Sequence, residues 1–424
     1  MIRSAYIDNF KSLVGFHLPQ QSARLGKFTC LIGANGSGKS TILQALDFTK
    51  QLMIGRMDDW LEMRGWNKSD LSSCFTNKKV ITIGIEFDFQ GIGKVFWLGE
   101  FNPSLLRCTK EVIRLGESKE NIFISTKGIV RYPSVKDNKP LSFQGFEFQG
   151  SALSALRLEQ AHPAALAIKY SLRDLKSLDM LAPNLIRRRN SSSDAEDIGY
   201  GGERMSAFLH GFSKTARQNL LEKLRGFYPQ AHKVESLSTR AGWKELQVVE
   251  RFGKHQRPIH ARQLNDGLLR ILAILSQVEA KDEFKAGLDG QGEFLGMIAD
   301  LRELAKNSGL RILNEYRALL FDEIENGIHP ELIEKLIAYL LDAQQQIIVT
   351  THSPMILNYL PDEVAKEAVI LLYRTQEGIT RSVRYFDLPS ARKKLDLLGP
   401  GEVFADTDLT TLAQEAEALR NTQP

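Results

Sequence analysis

Two hydrophobic rhythms divide the chain. In the N-terminal third apolar and polar residues alternate with a period of two, in Ile2 to Ile7 and then in VITIGIEFDF, KVFWLGEF, NIFIS and LSFQGFEF between Val80 and Phe148. Gly, Asn, Pro and Lys clusters separate these runs, which predicts an antiparallel β subdomain. Lys27 to Ile32 reads as a strand that runs straight into a glycine-rich turn and a helix starting near Lys39, a β–loop–α unit. From Ser151 to about Leu181 the period is helical. Ile186 to Gly202, with RRRNSSSDAED and YGG, reads as an exposed loop, Thr215 to Leu224 as a helix, and Val234 with Leu246 to Phe252 as a strand pair.

In the final third the rhythm changes again. A helix from Asp266 to Val278, a strand at Ala318 to Phe321, a helix from Pro330 to Leu341 and a strand at Gln346 to Thr350 alternate as a parallel sheet requires. Two segments depart from that economy: a helical-looking insert from about Lys281 to Glu315, and a tail of about 70 residues after His352. Within the insert Phe284, Leu288, Phe294, Leu295, Ile298, Leu301 and Leu304 recur at helical intervals, so it is expected to be an ordered docking element. The expected division is 1–150 with the antiparallel β subdomain, 151–260 as a mixed insert, 261–360 as a second lobe containing the 281–315 insert, and 361–424 as an extension.

Composition adds limits. A hydrophobic fraction of 43% and a charged fraction of 25% are those of an ordinary globular protein, and 55 Lys and Arg against 51 Asp and Glu leave no bulk charge that points to nucleic acid. Cys30, Cys74 and Cys108 lack the C-x-x-C spacing of a zinc or redox site, which fits a reduced, cytoplasmic protein. No apolar run approaches the roughly 18 residues of a membrane span, so no membrane association is expected.

Three short motifs carry chemistry. Gly33 to Ser40 reads GANGSGKS, which satisfies G-x-x-x-x-G-K-S/T between a strand and a helix. Backbone N–H groups of Gly33, Asn35, Gly36, Ser37 and Gly38 can turn inward around phosphates, Lys39 can reach the β- and γ-phosphates, Ser40 can offer its hydroxyl to Mg²⁺, and Thr41 follows in the first helical turn. In RALLFDEIENGIHP an apolar strand delivers Asp322 and Glu323 to its carboxyl end, Asp322 for the hydration shell of the metal and Glu323 to polarise an attacking water. IIVTTHSP ends a strand in His352, which can hydrogen-bond a γ-phosphate and report its loss.

With these residues in view the sequence resembles the ABC-type ATPases of the SMC, RecF and OLD-like branch. GANGSGKS, LNDGLLR, LLFDEIENGIHP and TTHSP stand in that branch's order of Walker A, signature, Walker B with D-loop, and switch histidine, and the opening IDNFKSL is similar to theirs. The resemblance implies an α/β P-loop NTPase of the ABC/SMC-head type, a mixed central sheet with an antiparallel β subdomain and helical insertions, and ATP and Mg²⁺ as cofactors. It implies that Asn265, Asp266 and Gly267 form a signature acting in trans on the nucleotide of a second copy, although Asn265 stands where the family has serine and N-D-G also suits a helix cap. Gln149 becomes the candidate Q-loop glutamine, with Gln144 and Gln90 as further candidates; Asn326, Gly327 and His329 fall at the D-loop; Lys11 and Ser12 fall near the ribose.

The middle of the chain departs from the rod-like members. Only about 114 residues separate Gln149 from Leu264, and their Pro, Gly and strand patterns exclude a long heptad coiled coil. The tail is too short for a full Toprim nuclease; Asp406 and Asp408 read as a capping turn, and His255 and His260 as loop histidines. The expectation is therefore an ATP-driven switch that forms a head-to-tail homodimer or higher homo-oligomer and controls a separate nuclease or toxin in bacterial phage defence. The alternatives are a RecF-like repair ATPase that binds DNA, with Arg187, Arg188 and Arg189 touching phosphates, or an OLD-like ATP-dependent nuclease.

Overall fold

The computed structural model describes residues 1–20, 23–116, 120–133, 140–144, 147–155, 162–191, 197–239, 242–280 and 317–422. The insert expected from Lys281 to Glu315 lies outside them. Two compact units divide the described residues. The first takes Met1–Lys176, 317–320 and the chain from Gln345 onward; the second takes 177–280 and Phe321–Gln344.

The first unit contains an antiparallel sheet of eight strands. These are β1 (Ile2–Asp8), β2 (Phe16–Leu18), β4 (Ile81–Phe89), β5 (Gly93–Asn102), β6 (Arg107–Leu115), β7 (Glu120–Thr126), β8 (Ile129–Pro133) and β9 (Pro140–Gln144), in the order β2-β1-β4-β5-β6-β7-β8-β9. The period-two pattern is the cause: in β5 every second residue from Val95 to Phe101 is buried. Helix α1 (Lys39–Ile54) buries both apolar and polar residues, and its Phe48 ring meets Phe101 edge-on at 5.0 Å and Trp60 of α2 (Met57–Arg64) at 5.6 Å. The same contact zone hides Asp47, whose Oδ2 accepts from Trp60 Nε1 and Arg64 Nη2, both at 2.8 Å.

A second sheet follows the order β10-β14-β15-β3-β16-β17. Its strands are β10 (Lys176–Leu178), β14 (Ala318–Phe321), β15 (Gln346–Thr350), β3 (Phe28–Ile32), β16 (Val369–Arg374) and β17 (Thr380–Arg384). β15, β3 and β16 run parallel, and β17 closes the edge as an antiparallel hairpin partner of β16. All five residues of β3 and of β15 are buried, as strands covered on both faces require. Gln346 ties the two sheets together. Its Nε2 donates to Ile2 O and Gly26 O at 2.8 and 2.9 Å, and its Oε1 accepts from Ile2 N at 2.9 Å.

The rest of this unit is helical: α3 (Ala152–Ala155) and α4 (Pro163–Arg173), and beyond β15 the helices at Pro354–Asn358, Asp362–Ala368, Pro389–Leu395, Pro400–Ala405 and Leu409–Thr422. The stretch read as helical up to Leu181 therefore ends in a strand, β10, too short to show a period. The tail read as an extension supplies two strands of the second sheet, because VILLYR and TRSVR pair along their length. Asp408 does cap the last helix, accepting from Thr410 N at 2.9 Å and Thr411 Oγ1 at 3.0 Å.

The second unit packs helices on a three-stranded antiparallel sheet, β11 (Ala231–Ser238), β12 (Lys244–Phe252) and β13 (His255–His260). β13 corrects the sequence reading, since His255 and His260 are its first and last residues and not loop histidines. HQRPIH has neither alternation nor β-branched density, and its Pro258 is tolerated on an edge strand. The helices are α5 (Pro183–Ile186), α6 (Met205–His210), α7 (Lys214–Phe227), α8 (Asp266–Glu279) and α9 (Pro330–Asp342). Ser213 caps α7 through Ala216 N at 3.1 Å, and Tyr339 of α9 donates to Glu279 of α8 at 2.6 Å. Among the described residues no helix is long and apolar enough to cross a membrane.

Candidate nucleotide site

In the first unit β3 delivers the chain into the GANGSGKS turn, where Gly33, Gly36 and Gly38 take φ of 144°, 77° and 106°. Two of these glycines are required sterically as well. A Cβ on Gly33 would lie 2.2 Å from Leu372 O, and one on Gly38 would lie 2.6 Å from Thr380 Oγ1. Lys39 opens α1 and is buried, and its Nζ donates to Gly33 O at 2.8 Å and Ala34 O at 3.1 Å, which sets the ammonium inside the loop. Gly38 stands at the N-cap position and has no side chain to cap the helix, so the first N–H groups of α1 face the loop in the manner of an anion site. Asn35 and Gly36 are exposed on the rim, Ser37 is buried with no hydrogen-bond partner for its Oγ, and Ser40 and Thr41 are half-buried in the first turn.

His352 leaves the strand beside this loop. β15 pairs with β3 so that Thr350 stands opposite Leu31, and Thr351 N donates to Leu31 O at 3.1 Å. The next residue, exposed His352, is thus released where β3 enters the glycine turn. Parallel adjacency brings Gly33 and His352 together although more than 300 positions separate them in sequence.

The NFKS turn divides its residues. Asn9, at a φ of 61°, donates to Lys78 O and Val80 O, both at 2.8 Å, and accepts from Ser73 N at 3.1 Å, so it fixes the turn. Lys11 reaches Gln44 Oε1 of α1 at 2.9 Å and lies over the Trp66 ring at 3.3 Å from its centroid. Ser12 instead joins the nucleotide loop through Thr380, whose Oγ1 lies 2.9 Å from Ser12 Oγ and 3.0 Å from Ser37 O.

Gln149 is elsewhere, and the Q-loop assignment is corrected. Its Oε1 accepts from Met57 N at 2.9 Å and Asp58 N at 3.3 Å, and its Nε2 donates to Asp58 Oδ2 at 2.7 Å, so the side chain caps α2. α1 has 16 residues, about 24 Å at 1.5 Å each, and Gln149 lies by its far end while the glycine turn lies at its start. A side chain cannot span that distance. The antiparallel sheet returns the chain to the wrong end of α1, which strand order alone does not reveal.

In the second unit a further cluster assembles. The chain leaves β14 into Asp322 and Glu323, and Glu323 adopts a left-handed φ of 46°, uncommon for a residue with a side chain. Asn326 holds that turn, its N donating to Glu323 O at 2.9 Å and its Nδ2 to Glu323 Oε2 at 3.4 Å. His329 is the N-cap residue of α9 before Pro330. At the start of α8 Asn265 Oδ1 accepts from Leu268 N at 2.8 Å, so the asparagine caps its own helix. Gly267 packs on the Glu323 turn, where its Cβ would lie 2.7 Å from Gly327 O, and Arg270 reaches to within 3.4 Å of a Cβ placed on Gly327. Burial holds Arg270 below its usual pKa, and the Asp266 and Glu323 carboxylates oppose that shift.

The arginines offered as phosphate contacts are partly engaged inside this unit. Arg187 donates to Leu264 O at 2.8 Å and pairs with Asp266, and Arg189 pairs with Glu245 at 2.8 Å, while Arg188 is exposed. Thr380 and Arg374, which touch the glycine turn, were not visible in the sequence. No pattern marks them, because their role comes from the pairing of β16 with β3.

A family described as "AAA domain, putative AbiEii toxin, Type IV TA system" matches residues 132–358, and one described as "AAA ATPase domain" matches residues 1–159. An OLD nuclease of Thermus scotoductus is 31% identical over 109 residues, which is 26% of this chain and 18% of the nuclease. An SMC head bound to the C-terminal winged-helix domain of ScpA is 15% identical, with 90% of this chain and 96% of that chain covered at a TM-score of 0.48. An SMC head with an extended coiled coil from Pyrococcus furiosus, bound to the C-terminal domain of ScpA, is 14% identical, with 93% and 98% covered at a TM-score of 0.48.

Proposed function

The chain belongs to the AAA-domain family whose match spans residues 132–358, and from that premise we propose that it binds and hydrolyses ATP as a switch subunit. The observation that carries the reading is the Gly33–Ser40 turn, with a buried lysine ammonium at its centre, two glycines, Gly33 and Gly38, at which a Cβ would clash, and the α1 N-terminus behind it. Lys39 exchanges its two carbonyl partners for the β- and γ-phosphates. By the resemblance, Ser40 and Asp322, whose hydroxyl and carboxylate are hard oxygen donors of the kind Mg²⁺ takes, are the residues that would hold it. When bound, Mg²⁺ neutralises charge on the phosphate oxygens. Glu323, fixed in its strained turn by Asn326, polarises the attacking water, and His352 contacts the γ-phosphate.

The signature completes the site from a second copy. Asn265 Oδ1 is used in capping, so its Nδ2 is the group that donates across the interface, with Asp266 and Gly267 beside it on the α8 N-terminus. A separate effector, nuclease or toxin, then reads the ATP state in a phage-defence system. What supports this is the toxin–antitoxin description of the matched family and the likeness to part of an OLD nuclease. The test uses purified chain. Lys39→Ala should abolish binding of a fluorescent ATP analogue, and Glu323→Gln should bind but hydrolyse at least tenfold more slowly and accumulate as a dimer. Unchanged ATP affinity in the first variant, or full-rate turnover in the second, refutes the assignment. Copurification from the native operon identifies the effector, and recovery of the chain alone under ATP refutes that part.

A second reading, DNA binding, is favoured by the β12–β13 hairpin. Residues 251–258 are all exposed, and from Arg251 to Asn265 the sequence holds Arg251, Lys254, Arg257 and Arg262 with no acidic residue. Phe252, 54% exposed, sits at the tip beside the tight Gly253–Lys254 turn. Replacing Arg251, Lys254 and Arg257 by Ala should lower the salt dependence of duplex DNA binding by about three in log–log slope. An unchanged slope removes this reading.

A further inference from the structure

The β16–β17 hairpin touches the nucleotide turn at several consecutive points. Leu372 O lies where a Gly33 Cβ would be, Arg374 Nε donates to Gly36 O at 2.5 Å, and Thr380 Oγ1 donates to Ser37 O at 3.0 Å. Thr380 is wholly buried at the start of β17. Its backbone N donates to Ser12 O at 3.1 Å, its hydroxyl meets Ser12 Oγ at 2.9 Å, and its Cγ2 is 2.9 Å from the place of a Gly38 Cβ. One side chain thus joins three segments distant in sequence: the NFKS turn, the glycine turn and the second strand of the tail.

From this we infer that Thr380 is a positioning residue for ATP, acting through the peptide between Ser37 and Gly38. The inference rests on the reading of Gly33–Ser40 as the phosphate site. A trans peptide is planar, and its C=O and N–H point to opposite sides. Holding the Ser37 carbonyl on Thr380 therefore fixes the direction of the Gly38 N–H, and holding the Gly36 carbonyl on Arg374 does the same for the preceding peptide. Gly38, at a φ of 106°, has the freedom to let that plane turn. Without the hydroxyl the Ser37 carbonyl loses its partner, and the plane rotates to find another. The Thr380 methyl group, packed against Gly38, limits the rotation sterically. A serine can replace the hydrogen bond but not this contact, and a valine the contact but not the bond.

The experiment compares wild type, Thr380→Val, Thr380→Ser and Lys39→Ala by titration with a fluorescent ATP analogue, with thermal melts of each. Thr380→Val should weaken binding about tenfold, the loss of one hydrogen bond, while its melting temperature leaves it fully folded at the titration temperature. Thr380→Ser should recover affinity to within about threefold of wild type. Wild-type affinity in Thr380→Val, with Lys39→Ala abolishing binding, overturns the inference alone. So does a Thr380→Ser variant as weak as Thr380→Val, or a loss that follows the unfolded fraction. If wild type does not bind ATP, the phosphate-site reading falls and the inference with it.

Discussion

Replacing Glu111 by Gln should remove a pH dependence of stability that the wild-type chain carries. Glu111 lies in β6 with no exposure, and it accepts from Ser151 Oγ at 2.5 Å, Ala152 N at 2.6 Å and Trp97 Nε1 at 3.4 Å. Room for the Trp97 ring comes from Gly99, the cross-strand partner of Glu111, where a Cβ would lie 2.7 Å from that ring. Burial raises the carboxyl from 4.5 to about 7, and the three donors only partly oppose it. The sign follows from linkage: between these values the folded state holds a proton that the unfolded state has released. The stabilisation is complete below pH 4.5 and is lost as pH rises through about 7. At about 1.4 kcal/mol per pH unit the gap amounts to about 3 kcal/mol, of which about 2 to 3 kcal/mol falls between pH 5 and pH 8.

Urea unfolding of both chains at pH 5, 6, 7 and 8 measures that difference, because every other titrating group is common to the two. The expected result is a wild-type stability that falls towards pH 8 relative to Glu111→Gln. Native fluorescence supplies an independent readout, since the Trp97 indole is bonded to the titrating carboxyl and should report a midpoint near 7 that the variant lacks. Parallel stability profiles, together with no fluorescence midpoint near neutrality, would refute the reasoning and place the charge of Glu111 in a more polar setting than three donors supply.

Asp47→Ala should cost about 3 to 5 kcal/mol in chemical unfolding, because it removes the carboxylate that Arg64 meets at 2.8 Å in a site where the two side chains are 0% and 1% exposed; a loss below about 1 kcal/mol would show that water reaches the pair. Gly267→Ala places a Cβ 2.7 Å from Gly327 O and should separate the α8 start from the Glu323 turn. In the Glu323→Gln background light scattering should then show loss of the ATP-dependent dimer with first-site ATP affinity within about twofold, and a dimer that persists would contradict the trans role.

What could be read from the sequence is what depends on local spacing. The Gly33–Ser40 turn, the acidic pair after β14 and the histidine after β15 are each a few residues long and follow strands of four or five buried residues. The antiparallel sheet was legible because one face of β4 and of β5 is covered and the period of two survives in Ile81–Phe89 and Val95–Phe101. β13 was not, because an exposed edge strand has no buried face to impose alternation. Gln149 was misplaced for a different reason: its distance from the glycine turn is set by the length of α1 and the end at which the sheet rejoins it, and neither is written in the residues around FEFQGS.

The tail shows why the nucleotide turn cannot be a property of the N-terminal residues alone. β3 brings the chain to Gly33, but its two neighbours in the sheet are β15 and β16, and both follow residue 345. Without them a strand with five buried residues would present unpaired N–H and C=O groups on both edges, each at a cost comparable to a lost hydrogen bond. β15 releases His352 beside the turn, and the β16–β17 hairpin braces Gly36 and Ser37 through Arg374 and Thr380. The shape of the Gly33–Ser40 turn therefore depends on the pairing of the C-terminal strands with β3. Mutations in the tail that disturb the β16–β17 register should therefore lower ATP affinity from outside every recognised motif, measured by titration with a fluorescent ATP analogue.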